Sequence, residues 1–332
     1  MPLLFQANLH STVWGGHRLP VLKGQAYTDE PVGESWEVSI LPANDSVVAT
    51  GVHAGQPLSS LIARYGAALV GRRVAERYGS ELPLLVKFID AEGDLSIQVH
   101  PGDRMAQERH GCMGKTEMWY VVEARPGASV LVGFERPLSA SSYAAGIADG
   151  SFVHSLARYA VHAGDVFFIP AGRVHAICAG TLLCEVQQSS DVTYRIFDYH
   201  RRGLDGQPRQ LHVEEAREAI DFSVHTDNRV CYDAPRQGRT GLVACESFEV
   251  QLLCARSPLH CDRRSADSFV VLSCVAGCCR VEVDAALGAS LSGQAAVELT
   301  AGNSCLVPAA EAAYTVVPLG EGGVRVLEAV AR

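Results

Sequence analysis

One frame of small residues occurs twice in this chain. Gly164 is followed after five residues by Pro170, after one more by Gly172 and after two more by His175. Gly302, Pro308, Ala310 and Ala313 repeat the spacing, with alanine where the second glycine and the histidine stood. Upstream of each frame an apolar run, a turn with glycine and a second apolar run recur, EMWYVVEARPGASVLV from Glu117 and SFVVLSCVAGCCRVEV from Ser268. This alignment puts Ser268 where Glu117 stands. A strand-turn-strand unit written twice cannot bury its apolar face alone, and it reads as two jelly-roll units of which only the first can bind a metal.

The rest of the chain agrees with a β architecture. ESWEVSIL from Glu34, LPLLVKFID from Leu82, ASVLVGF from Ala128 and DVFFIP from Asp165 are short and rich in β-branched and aromatic residues. Gly, Pro and Asp bound them. Helices are few. One is expected from about Pro57 to Tyr78, with Leu58, Leu61, Ile62, Tyr65 and Leu69 at helical spacing, and weaker ones at 139–147 and 213–220. The fold class is therefore all-β with a few helices, the first helix covering the first unit. The polar stretch 227–240, with Pro235 and Gly238, marks a boundary between a catalytic unit at 1–226 and a C-terminal unit at 240–332 that lacks metal ligands.

Composition narrows the partners. The 332 residues are 48% hydrophobic and carry a net charge of -9, with no basic run that could track a nucleic-acid backbone. The N-terminal stretch has no basic lead, and no segment reaches membrane-spanning length, so a cytoplasmic protein with no membrane partner is expected. The 11 cysteines are odd in number and irregularly spaced, which argues for free thiols in a reducing compartment. Even the Cys274, Cys278, Cys279 group falls in an apolar run and reads as packed small hydrophobes.

Gln98 and His100, two apart in LSIQVHPGD, point to one face of a strand. Glu117 opens a second strand, and His175 follows the Pro-Gly turn after a third. Imidazole and carboxylate without cysteine suit zinc, with an open coordination position. The in-phase Gln and His, the downstream Glu and the Gly-Pro-Gly-His frame together have the spacing of cupin metal motifs, so both units are expected to be cupin-type jelly rolls.

The stretches LPLLVKFIDAEGDLSIQVHPGD, GKTEMWYVV, GDVFFIPAGRVHAICAGTLLCEVQQSSDVTYRIFDYHR and VEEAREAIDF, with WGG at Trp14, resemble the class I phosphomannose isomerases in their short bacterial form. They span most of residues 14 to 222, and the tail beyond Thr240 resembles the family more loosely. The resemblance implies a zinc enzyme that interconverts mannose 6-phosphate and fructose 6-phosphate. By position it implies Gln98, His100, Glu117 and His175 as zinc ligands and Arg195 as the catalytic arginine. Glu185 matches an acidic residue that helps move the proton, and Lys115 and Ser96 match substrate-contacting positions. The long forms insert a helical domain for which this chain has no room.

Aldose-ketose isomerisation through an enediol needs a base near the carbons and positive charge near the oxygens. Glu185, beside the apolar Leu182 and Leu183, is the candidate base, and Arg195 the stabiliser of the enediolate. An acidic protein needs local positive charge to hold the substrate phosphate. Lys115, Arg201 and Arg202 could supply it, with Arg201 the first choice as anchor. Two other readings share the scaffold, an iron-dependent cupin oxygenase and a non-enzymatic sugar-phosphate sensor. The chain is expected to act as a monomer or homodimer.

Overall fold

The computed structural model describes residues 2–283 and 296–332. The strands form two pairs of facing antiparallel sheets. In the first pair, Val166–Ile169, Glu117–Ala124, Thr181–Gln188 and Leu84–Ala91 lie side by side in that order. Facing them run Leu156–Ala160, Ser129–Phe134, His175–Ile177 and Ile97–Val99, with Tyr194–Phe197 at the edge. In the second pair the order is Ser304–Val307, Val270–Ala276, Val324–Ala331 and Phe248–Ala255. Facing these run Ala296–Thr300, Cys278–Val283, Ala313–Pro318 and Leu259–Asp262. Each strand of the second pair has a counterpart in the first, so the repeated Gly-Pro frame is the visible part of a repeated topology. His175 and Ala313 each open the strand that follows their frame.

The register corrects one detail of the sequence alignment. Glu117 lies opposite Ile169, the residue before Pro170, whereas Val307, the residue before Pro308, lies opposite Val270. Val270, not Ser268, therefore stands at the place of Glu117. A shift by two keeps every side chain on its own face, so strand alternation could not reveal the error. Ser268 instead hydrogen-bonds locally, donating to Phe269 O at 2.9 Å and accepting from Ala331 N at 3.1 Å.

The long helix expected after Pro57 is three short ones, Leu58–Tyr65, Ala67–Val70 and Arg72–Tyr78. They break at Gly66 (φ 48°, ψ -127°) and Gly71 (φ 95°), conformations that side chains oppose. Their apolar face buries Leu58, Leu61, Ile62, Leu69, Val70 and Val74. That face packs in one core with Phe88 of the first unit and Phe248, Phe269 and Leu327 of the second. Each buried phenylalanine contributes about 2–3 kcal/mol. The cover is thus also a wedge between the two halves. Backbone contacts hold it there: Phe269 N donates to Val70 O at 3.1 Å, and Arg72 N to Asp267 Oδ1 at 3.0 Å. The later helices fall at Ala140–Asp149, where Ser139 Oγ accepts from Ser142 N at 3.1 Å, and at Val213–Ala219. A helix at Asp103–His110 was not anticipated.

The wedge makes one glycine critical. A Cβ on Gly71 would stand 2.1 Å from Asp267 O, whereas one on Gly79, at φ 64°, would meet nothing within 4 Å. Gly71→Ala should therefore cost about 3 kcal/mol or more, from backbone strain plus the clash, and Gly79→Ala only about 1 kcal/mol. Urea midpoints of the two variants test this. Equal midpoints would show that the Gly71 loop does not dock as described.

All 11 cysteines are free, and Cys274 and Cys279 are buried in the second apolar core, as their setting predicted. Among the described residues no helix is long and apolar enough to cross a membrane.

Candidate metal centre and cavity

Two rows of side chains face each other across the first unit. In one sheet, hydrogen-bond register sets Arg195 beside Gln98 and Gln98 beside His175. In the other it sets Trp36 beside Lys87, Lys87 beside Glu185 and Glu185 beside Trp119. Residues almost a hundred positions apart thus line one cavity.

His175 lines this cavity, and behind it His100 Nε2 and His175 Nε2 each lie 3.4 Å from an oxygen of Glu117, all three residues being buried. Each imidazole has its other nitrogen near a carbonyl: His100 Nδ1 is 2.9 Å from Val192 O, and His175 Nδ1 is 2.8 Å from Arg173 O. Nδ1 must then carry the hydrogen, so both Nε2 lone pairs turn to the centre. Burial, ahead of the nearby Lys115 and His175 charges, drives the His100 pKa well below the usual range. Burial likewise lowers that of His175 to about 4, so both rings are neutral near pH 7. Gln98 Nε2 lies 3.3 Å from His175 Nε2, and Ser96 Oγ donates to Gln98 Oε1 at 3.2 Å.

His100 Nε2 and both Glu117 oxygens are buried without a hydrogen-bond partner. Lys115 Nζ approaches Glu117 Oε2 to 3.2 Å, but not along a hydrogen-bonding direction. Lone pairs of His100 and Glu117 that converge without a hydrogen-bond donor are costly in a protein interior, and a bound cation would relieve that cost. The donor set, two neutral imidazoles and a carboxylate with an amide alongside, fits a divalent metal.

Glu185 lies 3% exposed on the cavity wall, neither facing solvent nor paired with Arg195. Its Oε2 accepts from Trp119 Nε1 at 2.8 Å, and its Oε1, 4.0 Å from Lys115 Nζ, has no hydrogen-bond partner. Burial and then the Glu117 charge raise its pKa. Burial opposes the charge of Lys115, but Glu117, Glu185 and Glu34 outweigh it and hold that pKa above the ordinary value. Arg195 also lines the cavity. Its Nη1 donates to Gln210 O at 2.9 Å, and its Nε is buried without a partner.

Arg201, expected as the phosphate anchor, lies beside the cavity rather than among its lining side chains; its Nη2 donates to Asp198 at 2.6 Å and its Nη1 to Asp94 O. Arg202 is exposed and bonds Gly206 O. The cavity instead holds Lys87, Glu34, Trp36, Trp14 and Arg209. Lys87, 5% exposed, lies 3.1 Å from Glu34 Oε2 and 4.2 Å over the Trp36 ring. A lone lysine inside the apolar run LPLLVKFID was its legible signal, since a buried ammonium needs a partner. Arg209, in a polar loop, carried none.

The family model for the catalytic domain of type I phosphomannose isomerase matches residues 3–124. Mannose-6-phosphate isomerase of Streptococcus mutans is 41% identical over 219 residues, 66% of this chain and 67% of that protein. The chain belongs to the type I phosphomannose isomerase family. Another relative, mannose-6-phosphate isomerase ManA of Bacillus subtilis, is 33% identical over 75% of this chain and 78% of its own length. The crystal structure of the mannose 6-phosphate isomerase from B. subtilis superposes with a TM-score of 0.85 at 28% identity, covering 99% of each chain. A phosphomannose isomerase from Salmonella typhimurium, at 17% identity and a TM-score of 0.76, shares the fold. Family membership extends past the motifs to the whole two-unit architecture.

Proposed function

We propose that this chain is a zinc-dependent aldose-ketose isomerase that interconverts mannose 6-phosphate and fructose 6-phosphate through an enediol. The observation that carries the reading is the buried convergence of His100, Glu117 and His175, with His100 Nε2 and both Glu117 oxygens lacking a hydrogen-bond partner, beside a cavity that also presents Arg195, Lys115 and Glu185. Gln98, His100, Glu117 and His175 would hold the metal. Gln98 joins through its amide oxygen after a half turn of the terminal amide, which leaves the NH2 group toward Ser96. Bound zinc supplies a Lewis acid for the sugar's carbonyl or hydroxyl oxygen. Residues 1–226 are the catalytic unit in this reading, and residues 240–332 a cupin-like unit without ligands. The free thiols fit a cytoplasmic setting.

Glu185 is the base. Trp119 fixes its Oε2, so Oε1 is the atom left to take the proton from C2 of the aldose and return it to C1. A carboxylate with a raised pKa holds that proton long enough to deliver it. Lys115 compensates the Glu185 charge when the proton leaves, and Ser96 orients Gln98. Arg195, beside Gln98 across the sheet, directs its unpaired Nε toward negative charge developing at the sugar oxygens.

Purified zinc-replete protein given fructose 6-phosphate in deuterated water should form mannose 6-phosphate that accumulates deuterium at C2 over repeated turnovers, as the proton held on Glu185 exchanges with solvent in a fraction of them. Turnover to equilibrium with no label at all would count against an exchangeable proton on Glu185 and favour a hydride shift. Failure to turn over, with bound iron and oxygen uptake, would favour an oxygenase instead.

A further inference from the structure

Any phosphorylated sugar entering the cavity brings a dianion, and the distribution of cations decides where it can rest. The two cavity lysines, Lys87 and Lys115, face three carboxylates, Glu34, Glu117 and Glu185. Their charge is already answered. The two cavity arginines differ. Arg195 forms no ion pair among the described residues, and Arg209 meets a single carboxylate, Asp198, at 3.3 Å. Asp198 is itself held at 2.6 Å by Arg201, outside the cavity. Asp191 also lines the wall but pairs with neither arginine. A single acid on the two cavity arginines, itself shared with Arg201, leaves the Arg195 Nε donor unpartnered and the positive charge in surplus.

The two arginines are not equivalent in place. Register sets Arg195 against Gln98, at the metal end. Arg209 is carried by the loop after Tyr194–Phe197 and has the Glu34 carboxylate within electrostatic reach, on the side where Trp36 and Lys87 line the wall. An extended hexose phosphate has its reacting carbons at one end and its phosphate at the other. With C1 and C2 at the metal end, the terminal phosphate falls to the other cavity arginine, Arg209, whose only ion pair among the described residues is to an acid already held by Arg201.

Resting on the isomerase reading above, we infer that Arg209 is the residue that binds the substrate's phosphate group and makes the enzyme specific for phosphorylated hexose. Arg201 is a positioning residue: by holding Asp198 it sets the carboxylate against which the Arg209 guanidinium is oriented. A planar guanidinium offers a phosphate two parallel N–H donors, which an ammonium cannot match.

Arg209→Ala leaves Asp198 paired with Arg201, so the fold should hold. Expected for Arg209→Ala is a KM for mannose 6-phosphate raised about 30- to 100-fold with kcat within about threefold, because binding energy remote from the reacting atoms is lost. Arg209→Lys should recover part of that loss, and Arg202→Ala should leave both constants unchanged. Calorimetric titration with inorganic phosphate reads the anchor whether or not the sugar turns over. Phosphate binding by the parent protein that disappears in Arg209→Ala supports the assignment. Equal binding by the two proteins, no binding by the parent, or a larger KM increase in Arg201→Ala than in Arg209→Ala would each overturn it. Absence of turnover by the parent protein with phosphate binding intact would instead count against the isomerase reading alone.

Discussion

His175→Ala should lower bound metal from about one ion per chain to a small fraction of that, and kcat/KM for mannose 6-phosphate by at least about 10³-fold. The size follows from losing a Lewis acid worth several kcal/mol at the reacting oxygens, each 1.4 kcal/mol being tenfold in rate. The cavity around the substituted site adds to the effect. Glu117 would remain buried beside Lys115, free to pair with that ammonium and so to leave the centre. Added zinc should restore little, because the remaining donors no longer surround one point. Elemental analysis and a coupled isomerase assay, read on the same preparation, check both halves of the expectation. A variant that keeps a full complement of metal would show that His175 Nε2 is not a ligand.

Arg195→Ala should show the opposite pattern, an unchanged metal content with kcat reduced about 10²- to 10³-fold, the usual cost of removing one preorganised donor to a developing oxyanion. The guanidinium has only one internal hydrogen bond through Nη1, to Gln210 O, so its removal disturbs little structure. Arg195→Lys should rescue poorly, because a lysine ammonium cannot reproduce a planar donor held by burial in the wall. If kcat were preserved and only KM rose, Arg195 would be a binding group and the enediolate would need another stabiliser.

The two expectations separate the metal from the charge on the wall, and with Arg209 they divide the cavity into three functions. His100, Glu117 and His175 cluster at one end, with His175 lining the cavity; Arg195 stands beside Gln98 there, and Arg209 lines the cavity from the loop that follows. Glu185 and Lys115 meet in their 4.0 Å contact. The neutral imidazoles matter here. Because burial holds the His175 pKa at about 4, protons compete with metal for that ring only in acid well below neutrality.

Much of this site is legible without coordinates because its parts are local motifs. Gln98 and His100 are two apart on a strand, and alternation alone puts them on one face. The Gly164-Pro170-Gly172-His175 frame encodes a turn that only those residue types make easily. Glu185 was legible as a carboxylate in an apolar run, where burial raises its pKa, though the Trp119 Nε1 donor and the added Glu117 charge were not. Arg201 follows Arg195 by six residues, and along the chain that proximity is what points to it. In space Asp198 holds it aside, and Arg209, eight residues further on, takes the cavity position.

By itself, then, the sequence determined the β character, the doubled unit, the metal-ligand types and the free thiols, since each depends on residue chemistry within a few positions. Tertiary structure alone decided the two-residue phase that sets Val270 rather than Ser268 against the place of Glu117. It alone wedged the glycine-broken helices between the halves, and it alone chose which cations line the cavity. The reason is physical: a strand's pattern is unchanged by a slip of two, and a charge on a loop has no pattern at all. Both are settled only when hydrogen-bond register and packing bring distant segments together.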